Sequence, residues 1–349
     1  MLTHEKVNLF RLTEEAMIAF VQSLGAPAYR ARQIMHWLYR KGAETIDVMT
    51  DLPRAFRSRL AENCVVALPE AVELRQSADG TRKFLFRLTD GVTIESVLIR
   101  DGSRLTACLS SQAGCGIGCP FCATALGGLE RNLRTEEIVG QLVAMQRLTG
   151  ERVTNVVMMG MGEPLANYRS VLGAIRLLNH PKACGIGQRH ITVSTSGVVP
   201  GIRRLAMEGL QIGLAVSLHA PNDALRNQLV PLNRRYPIAP LLAACREYFA
   251  ATGRRVTLEY VLIDGLNDTP ELAEELGVLL RDMNCLVNLI PLNPVPGTGF
   301  RRPEPERIAD FAAIVRARGV RVTLRREMGT DIDAACGQLR RVRRLQGVS

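Results

Sequence analysis

From Leu105 to Glu327 the chain alternates strand-like and helix-like runs about six times, and few folds accept that rhythm. "TACLSS", "VTNVVMMG", "HITVSTSG", "QIGLAVSLH", "RVTLEYVLI", "CLVNLIPLN" and "VRVTLRRE" read as strands. "TEEIVGQLVAMQRLTG", "YRSVLGAIRLLNH", "GIRRLAMEG", "PLLAACREYFAATG", "TPELAEELGVLLRDM" and "EPERIADFAAIVRARG" read as the helices between them. In the first of these helices Ile138, Leu142 and Met145 share one face, and Thr135 is the expected cap. The pattern predicts an α/β fold: a parallel sheet with helices outside, closed or partly closed as a (β/α)6 barrel. In such barrels the active site lies at the C-terminal ends of the strands.

Two smaller units are expected before the barrel. Residues 1–66 read as a helical module. Thr13 caps its first helix, with Glu14 and Glu15 in the first turn and Met17, Phe20, Val21 and Leu24 at helical spacing. "AYRARQIMHWLYRKG", stopped by Gly42, and "PRAFRSRLAENC" give two more helices. Residues 67–100 read as a short antiparallel unit, with hairpin turns at Asp79-Gly80 and Asp90-Gly91. The barrel is expected over 101–329, and 330–349 form a loop and a basic tail, "RRVRRLQGVS".

Composition narrows the class. The 349 residues are 47% hydrophobic, enough for a real core, and the formal net charge is +10. A basic surplus of that size favours an anionic partner, nucleic acid first. No uncharged apolar run approaches the ~18 residues of a membrane span. The first residues, "MLTHEKVNLFRLTEEA", carry acids and lack a signal-peptide core, which points to the cytoplasm. Nine cysteines in such a chain read as thiols, metal ligands or catalysts rather than as a disulfide framework.

Three of those cysteines stand together. "SSQAGCGIGCPFCATAL" spaces Cys115, Cys119 and Cys122 as C-x3-C-x2-C, on the loop after the first barrel strand. Structural zinc takes four protein ligands, usually as two pairs, and no fourth cysteine or histidine lies nearby. A [4Fe–4S] cluster normally takes four thiolates, so three leave one iron open to a small molecule. The glycines let the loop wrap such a cluster with its backbone close by.

The spacing resembles that of the radical S-adenosylmethionine (SAM) superfamily. Further residues sharpen the likeness: "RLTACLSSQ" around Cys108, "GTDIDAACGQL" around Cys336, and "RNLRTEEIVGQ", "MGMGEPLAN", "STSGVVP", "AVSLHAPND", "LEYVLIDGLND" and "NLIPLNP" between them. With these the chain closely resembles the RlmN/Cfr family of radical SAM RNA adenine methyltransferases. The match runs from about Glu95 to Leu339, and the helical front also fits. Two positions depart from the expected pattern, Ala125 in place of glycine and Leu129 in place of phenylalanine, both beside the cluster loop.

The resemblance implies a mechanism and a site. Cys115, Cys119 and Cys122 would hold the cluster, whose open iron binds the amino and carboxylate groups of SAM. Gly162, Glu163, Ser194, Ser217, Leu218, His219 and Asn293 would contact SAM. Two SAM molecules serve one turnover. One methylates Cys336; the other, cleaved reductively, gives a radical that takes hydrogen from that S-methyl. The carbon radical adds to adenine. Cys108 then attacks the sulfur of Cys336, forming a disulfide and freeing the methylated base, while Glu95 accepts a proton from the adduct. Read without the family, Cys108 is a small buried hydrophobe and Glu95 an outward-facing strand residue.

The resemblance further implies 23S rRNA and tRNA as partners, a flavodoxin or ferredoxin as electron donor, and a monomer. The front module, with Arg30, Arg32, Arg40 and Lys41, would help grip phosphates. The target base must be splayed out to reach the barrel. The housekeeping branch methylates C2 of adenine in rRNA and beside the tRNA anticodon, and the resistance branch methylates C8 of the same rRNA adenine. The helical front and general wording favour the C2 branch. The alternative from another class is a non-catalytic RNA-binding protein with a structural zinc or iron site.

Overall fold

The structure is a computed structural model that describes residues 6–339. The basic tail expected at 340–349 lies outside the described residues.

The front module opens with strand β1 (Val7–Asn8) and helices α1 (Glu14–Ser23), α2 (Tyr29–Tyr39) and α3 (Arg54–Asn63), and closes with β2 (Cys64–Val65), which pairs parallel to β1. Thr13 caps α1 as expected, its Oγ accepting the Ala16 N–H at 3.2 Å. The antiparallel unit follows as β3 (Glu70–Gln76), β4 (Arg82–Arg87) and β5 (Thr93–Asp101). Both Asp-Gly turns form. Asp79 and Asp90 accept the N–H groups two residues on, and Gly80 and Gly91 take φ of +85° and +83°.

The barrel begins with β6 (Arg104–Cys108). A small hairpin, β7 (Gln112–Gly114) and β8 (Leu129–Asn132), frames α4 (Ala123–Leu126) and the cysteine loop. Then come α5 (Thr135–Thr149), β9 (Asn155–Met158), α6 (Tyr168–Asn179), β10 (Ile191–Thr195), α7 (Val199–Ala206) and β11 (Gly213–Ser217). Helices α8 (Asp223–Leu229) and α9 (Ile238–Thr252) lead to β12 (Val256–Leu262), then α10 (Pro270–Leu280), β13 (Cys285–Pro291), α11 (Pro305–Ala317) and β14 (Arg321–Leu324). One expectation shifts by a residue. Thr135 lies inside α5, and the cap position is Arg134, whose N–H donates to Glu137 Oε2 at 2.8 Å. The Thr135 hydroxyl is occupied elsewhere, donating to the Ser170 carbonyl.

One ten-stranded sheet runs in the order β14-β13-β12-β11-β10-β9-β6-β5-β4-β3. The seven strands from β6 to β14 pair in parallel, and β5, β4 and β3 continue the same sheet antiparallel. The expected partial (β/α)6 barrel is therefore present, with the antiparallel unit added to its first edge.

Burial along the strands has a period of two. In β9, β10 and β13, Val156, Met158, Ile191, Val193, Cys285 and Val287 are fully buried in the apolar core shared with the helices. Asn155, Val157, Thr192, Ser194, Leu286 and Asn288 alternate with them and are only half-buried. These residues face inward and leave a hollow with mixed polar and apolar walls rather than the packed layers of a closed eight-stranded barrel.

The segment after β14 crosses the open side. Gly329 N–H donates to Asp79 Oδ2 at 2.7 Å and Ala78 N–H to Asp331 Oδ2 at 3.3 Å, joining it to the β3–β4 turn. It then returns over the strand ends: Ala123 N–H donates to Gly337 O at 2.8 Å, and the Thr124 hydroxyl to Leu339 O at 2.5 Å.

Candidate active site

The cysteine loop is shaped by its hairpin. Gly114 ends β7 at φ +80°, and a Cβ there would sit 1.9 Å from the Gly128 carbonyl oxygen, so only glycine fits. Cys115 N–H closes the loop base on that same carbonyl at 3.0 Å. All three loop thiols line one cavity of about 160 Å³ at the strand ends. Burial pushes Cys115 up to about 11 and Cys119 higher still, with the neighbouring loop thiols adding to the rise. Among the described residues no three His, Cys, Asp or Glu side chains gather around a single ion position. Three thiols are the soft donors that an iron–sulfur cluster takes, one fewer than its usual four.

The strand ends supply the rest of the cavity. Gly162 follows β9 at φ +104°, and a Cβ there would meet the Gln112 side chain at 2.5 Å. The Glu163 carboxylate is buried and braces two strand ends: Oε1 accepts Leu165 N–H at 3.0 Å, and Oε2 accepts Ser196 N–H at 2.6 Å. Burial raises its pKa against these hydrogen bonds. The Thr195 and Ser196 side chains add to this hydrogen bonding, so the carboxylate is held firmly at the cavity wall. Ser194, Ser217 and Asn293 line the same cavity.

His219 lines it from a left-handed backbone, φ +60°, unusual for a residue with a side chain. Its Nδ1 accepts the Val261 N–H at 3.0 Å, which leaves the hydrogen on Nε2. Burial, then the Arg226 charge, lowers its pKa to about 3, so the ring is neutral. Leu218 is the exception among the sequence-derived residues. Its side chain is fully buried in the core, and only its backbone takes part, donating to Glu259 O and accepting from Arg226.

Cys336 lines this cavity too, its carbonyl held by Asn293 Nδ2 at 3.2 Å. It also lines an adjoining cavity of about 430 Å³ that contains Cys108 at the end of β6. Burial pushes the Cys108 thiol up to about 12, the Cys336 charge adding and Arg325 opposing. Both cysteines are free thiols. Glu95 lines neither cavity, but register puts it on their side of the sheet. Val97 pairs with both Lys83 and Cys108, and Glu95 is two residues from Val97 on the same face. The expected outward-facing alternative for Glu95 is thus corrected: its side chain is buried, 3.2 Å from Lys83 Nζ.

Sequence reasoning missed Lys83, Arg226, Glu259 and Arg325. Glu259, on β12, is buried and accepts from Asn288 Nδ2 at 2.8 Å. Arg325 lines both cavities, and its pKa is raised first by Cys336. The signal for Glu259 was present, a charged residue at the inward phase of a strand, while Arg325 lies just past the end of β14. Of the two departures from the family pattern, Ala125 lines the cavity and Leu129 lies exposed on β8. The front cations have partners within the chain. Arg32 faces Glu14 at 3.5 Å, Arg40 donates to the Pro181 carbonyl, and Lys41 lies over the Trp37 ring at 3.6 Å. Arg30 stacks on Tyr29.

Comparison with known proteins decides the family. Residues 7–66 match the ribosomal RNA large subunit methyltransferase N-terminal domain, and residues 109–276 match the radical SAM superfamily. A probable dual-specificity RNA methyltransferase RlmN from Symbiobacterium thermophilum is 52% identical over 330 residues, covering 93% of this chain and 89% of the relative. The chain belongs to the RlmN family of radical SAM RNA methyltransferases. A dual-specificity RNA methyltransferase RlmN from Marinomonas sp. is 47% identical over 346 residues, 96% of this chain and 93% of the relative. The crystal structure of a radical SAM methyltransferase from Sphaerobacter thermophilus superposes with a TM-score of 0.92 at 53% identity, over 96% of this chain and 99% of that one. Membership in the RlmN family implies a [4Fe–4S] cluster and SAM. No helix among the described residues is long and apolar enough to cross a membrane.

Proposed function

We propose that this chain methylates C2 of adenine in 23S rRNA and in tRNA beside the anticodon, through a methylated Cys336 and a covalent protein–RNA intermediate. The observation that carries this is the meeting of Cys336 with Cys115, Cys119 and Cys122 on one cavity wall, with Cys108 in the cavity next to it. The dual-specificity name of the relatives supports two RNA substrates, and the helical front supports the C2 branch.

A cluster on the three loop thiols, with SAM bound to it, would supply the hydrogen-abstracting radical. The chain's own residues do the rest. Gly162, Glu163, Ser194, Ser217, the backbone of Leu218, His219 and Asn293 form the strand-end wall against which SAM is oriented. Asn293 and the Ala123–Gly337 hydrogen bond fix the Cys336 backbone against the cysteine loop. Cys336 takes the methyl group and then carries the bond to adenine. Glu95, held by Lys83, accepts the proton that the adduct gives up. Cys108 attacks Cys336 Sγ, so a sulfur–sulfur bond forms as the sulfur–carbon bond breaks, and the base leaves with the bonding pair and takes up a proton to complete its methyl group.

The deciding experiment is mass analysis of RNA from a strain lacking the gene, with wild-type or Cys336→Ala protein restored. Wild-type protein restores 2-methyladenine at both RNA sites, and Cys336→Ala restores neither. Retention of 2-methyladenine in the deletion strain ends the C2 assignment. Colourless anaerobically purified protein that never cleaves SAM would favour the structural-metal RNA binder instead.

A further inference from the structure

The barrel has a second way in. The cavity of about 430 Å³ is lined by Arg104, Asn155 and Thr192 near the starts of β6, β9 and β10, and reaches Cys108 and Cys336 at the strand ends. That volume suits a small molecule of a few hundred daltons. On the opposite side, the hydrogen bonds Ala123–Gly337 and Thr124–Leu339 fasten the Cys336 loop across the cysteine loop. The strand-end face also carries the wall assigned above to SAM, so it is the crowded approach to the cysteine pair.

The charge along this shaft is mainly positive. Arg189 and His190 stand exposed at the strand-start end, and Arg325 lies deep inside beside both cysteines. Arg104 pairs with Asp101, which also lines the cavity, and Glu327 pairs with Arg302. Among the described residues Arg189 and the exposed Arg326 make no ion pair, and Arg325 faces the buried Glu259 carboxylate without pairing closely to it, so the shaft mouth keeps a surplus of positive charge.

We propose that this shaft admits an anionic low-molecular-weight thiol, which reduces the Cys108–Cys336 disulfide from the strand-start end of the barrel once the RNA product has left. The inference rests on the disulfide-forming role given to these cysteines under the proposed function. The incoming thiolate attacks one sulfur, and the sulfur–sulfur bond breaks. The displaced cysteine leaves as a thiolate beside the Arg325 guanidinium and takes up a proton. A second thiol attacks the mixed disulfide and frees the other cysteine. In balance, two thiols become one disulfide plus two reduced cysteines, a two-electron exchange. The chain is ready for the next turnover.

The test uses full-length protein oxidised at the pair, with reduction followed by alkylation and mass analysis. Glutathione is the anionic probe and 2-mercaptoethanol the neutral one. Arg189→Glu is expected to slow glutathione about tenfold at low salt and leave 2-mercaptoethanol unchanged. Thr192→Phe, which narrows the shaft, is expected to slow both thiols while SAM cleavage stays at the wild-type rate. Equal glutathione rates in wild type and Arg189→Glu overturn the route, as does a thioredoxin-type protein whose faster reduction ignores Thr192→Phe. If no Cys108–Cys336 disulfide can be trapped after oxidation or turnover, the reading of the cysteine pair itself fails, and the route falls with it.

Discussion

The Lys83 ammonium and the Glu95 carboxylate lie 3.2 Å apart, with both side chains only 6% exposed. The same ammonium donates to the Asp333 carbonyl at 3.1 Å, three residues before Cys336. One buried cation thus holds both the carboxylate assigned to proton transfer and the loop that carries the methyl-bearing sulfur. Removing one member of a buried pair leaves the other charge uncompensated, at a cost of about 3–5 kcal/mol. Lys83→Met should lose stability on that scale in urea unfolding. Lys83→Met with Glu95→Leu should recover much of it, because both charges leave together. Strictly additive losses in the two single variants and the double variant would refute the coupling.

Gly114 and Gly128 separate backbone strain from steric fit. Both have positive φ, +80° and +64°, but a Cβ at Gly114 would strike the Gly128 carbonyl at 1.9 Å, while one at Gly128 meets nothing within 4 Å. Gly128→Ala should lose only the left-handed penalty of about 1–2 kcal/mol. Gly114→Ala must open the hairpin that frames the cysteine loop, so it should lose more stability and most of its bound iron. Iron analysis after anaerobic reconstitution checks this, and equal iron contents in the two variants would count against the hairpin as the frame.

Much of this was legible in the sequence, for a physical reason. Asp-Gly turns force hairpins, and strand–helix alternation leaves a parallel sheet as the way to pair the strands. The β7–β8 hairpin was not legible, since strands of three and four residues with a glycine at the end carry no periodicity. The Lys83–Glu95 pair was within reach: the turn at Asp90-Gly91 fixes the register that sets Lys83 opposite Val97. What could not be read was the nature of that face. Glu95 on an alternating strand looks solvated until the sheet curls and the face becomes the inside of a barrel. The polar phase of β10 and β13, Thr192, Ser194 and Asn288, was the available sign that the interior is hollow.

His219 gives the fold an acid sensitivity whose sign follows from burial. Its pKa falls from 6.5 to about 3 in the folded chain, because burial and then Arg226 disfavour the cation. Between those two values the unfolded chain binds a proton that the folded chain refuses. Stability therefore falls as pH drops through this window, by up to about 1.4 kcal/mol per pH unit. His219→Asn keeps a side chain that tolerates left-handed backbone and removes the titration. Urea midpoints measured from pH 6.5 to 4 should fall less steeply in this variant than in wild type. Parallel pH profiles would show that His219 does not bear the effect.

Arg226 is fully buried and makes its hydrogen bonds to neutral groups. Nε donates to Leu218 O at 3.0 Å, Nη1 to Asn233 Oδ1 at 2.7 Å, and Nη2 to Ser196 O at 2.7 Å and Ser217 O at 2.9 Å. One guanidinium therefore clamps the ends of β10 and β11, where Ser194 and Ser217 face the cavity. Arg226→Met strands these buried acceptors at roughly 1–3 kcal/mol each, so unfolding should begin at clearly lower urea. Arg226→Lys keeps the charge but cannot reach along four directions at once. It should fold, and bind SAM several-fold more weakly in calorimetry of the reconstituted protein, because the strand ends lose their common anchor. Unchanged SAM affinity in Arg226→Lys would mean that β10 and β11 hold their ends without the clamp, and that packing alone sets the wall of the site.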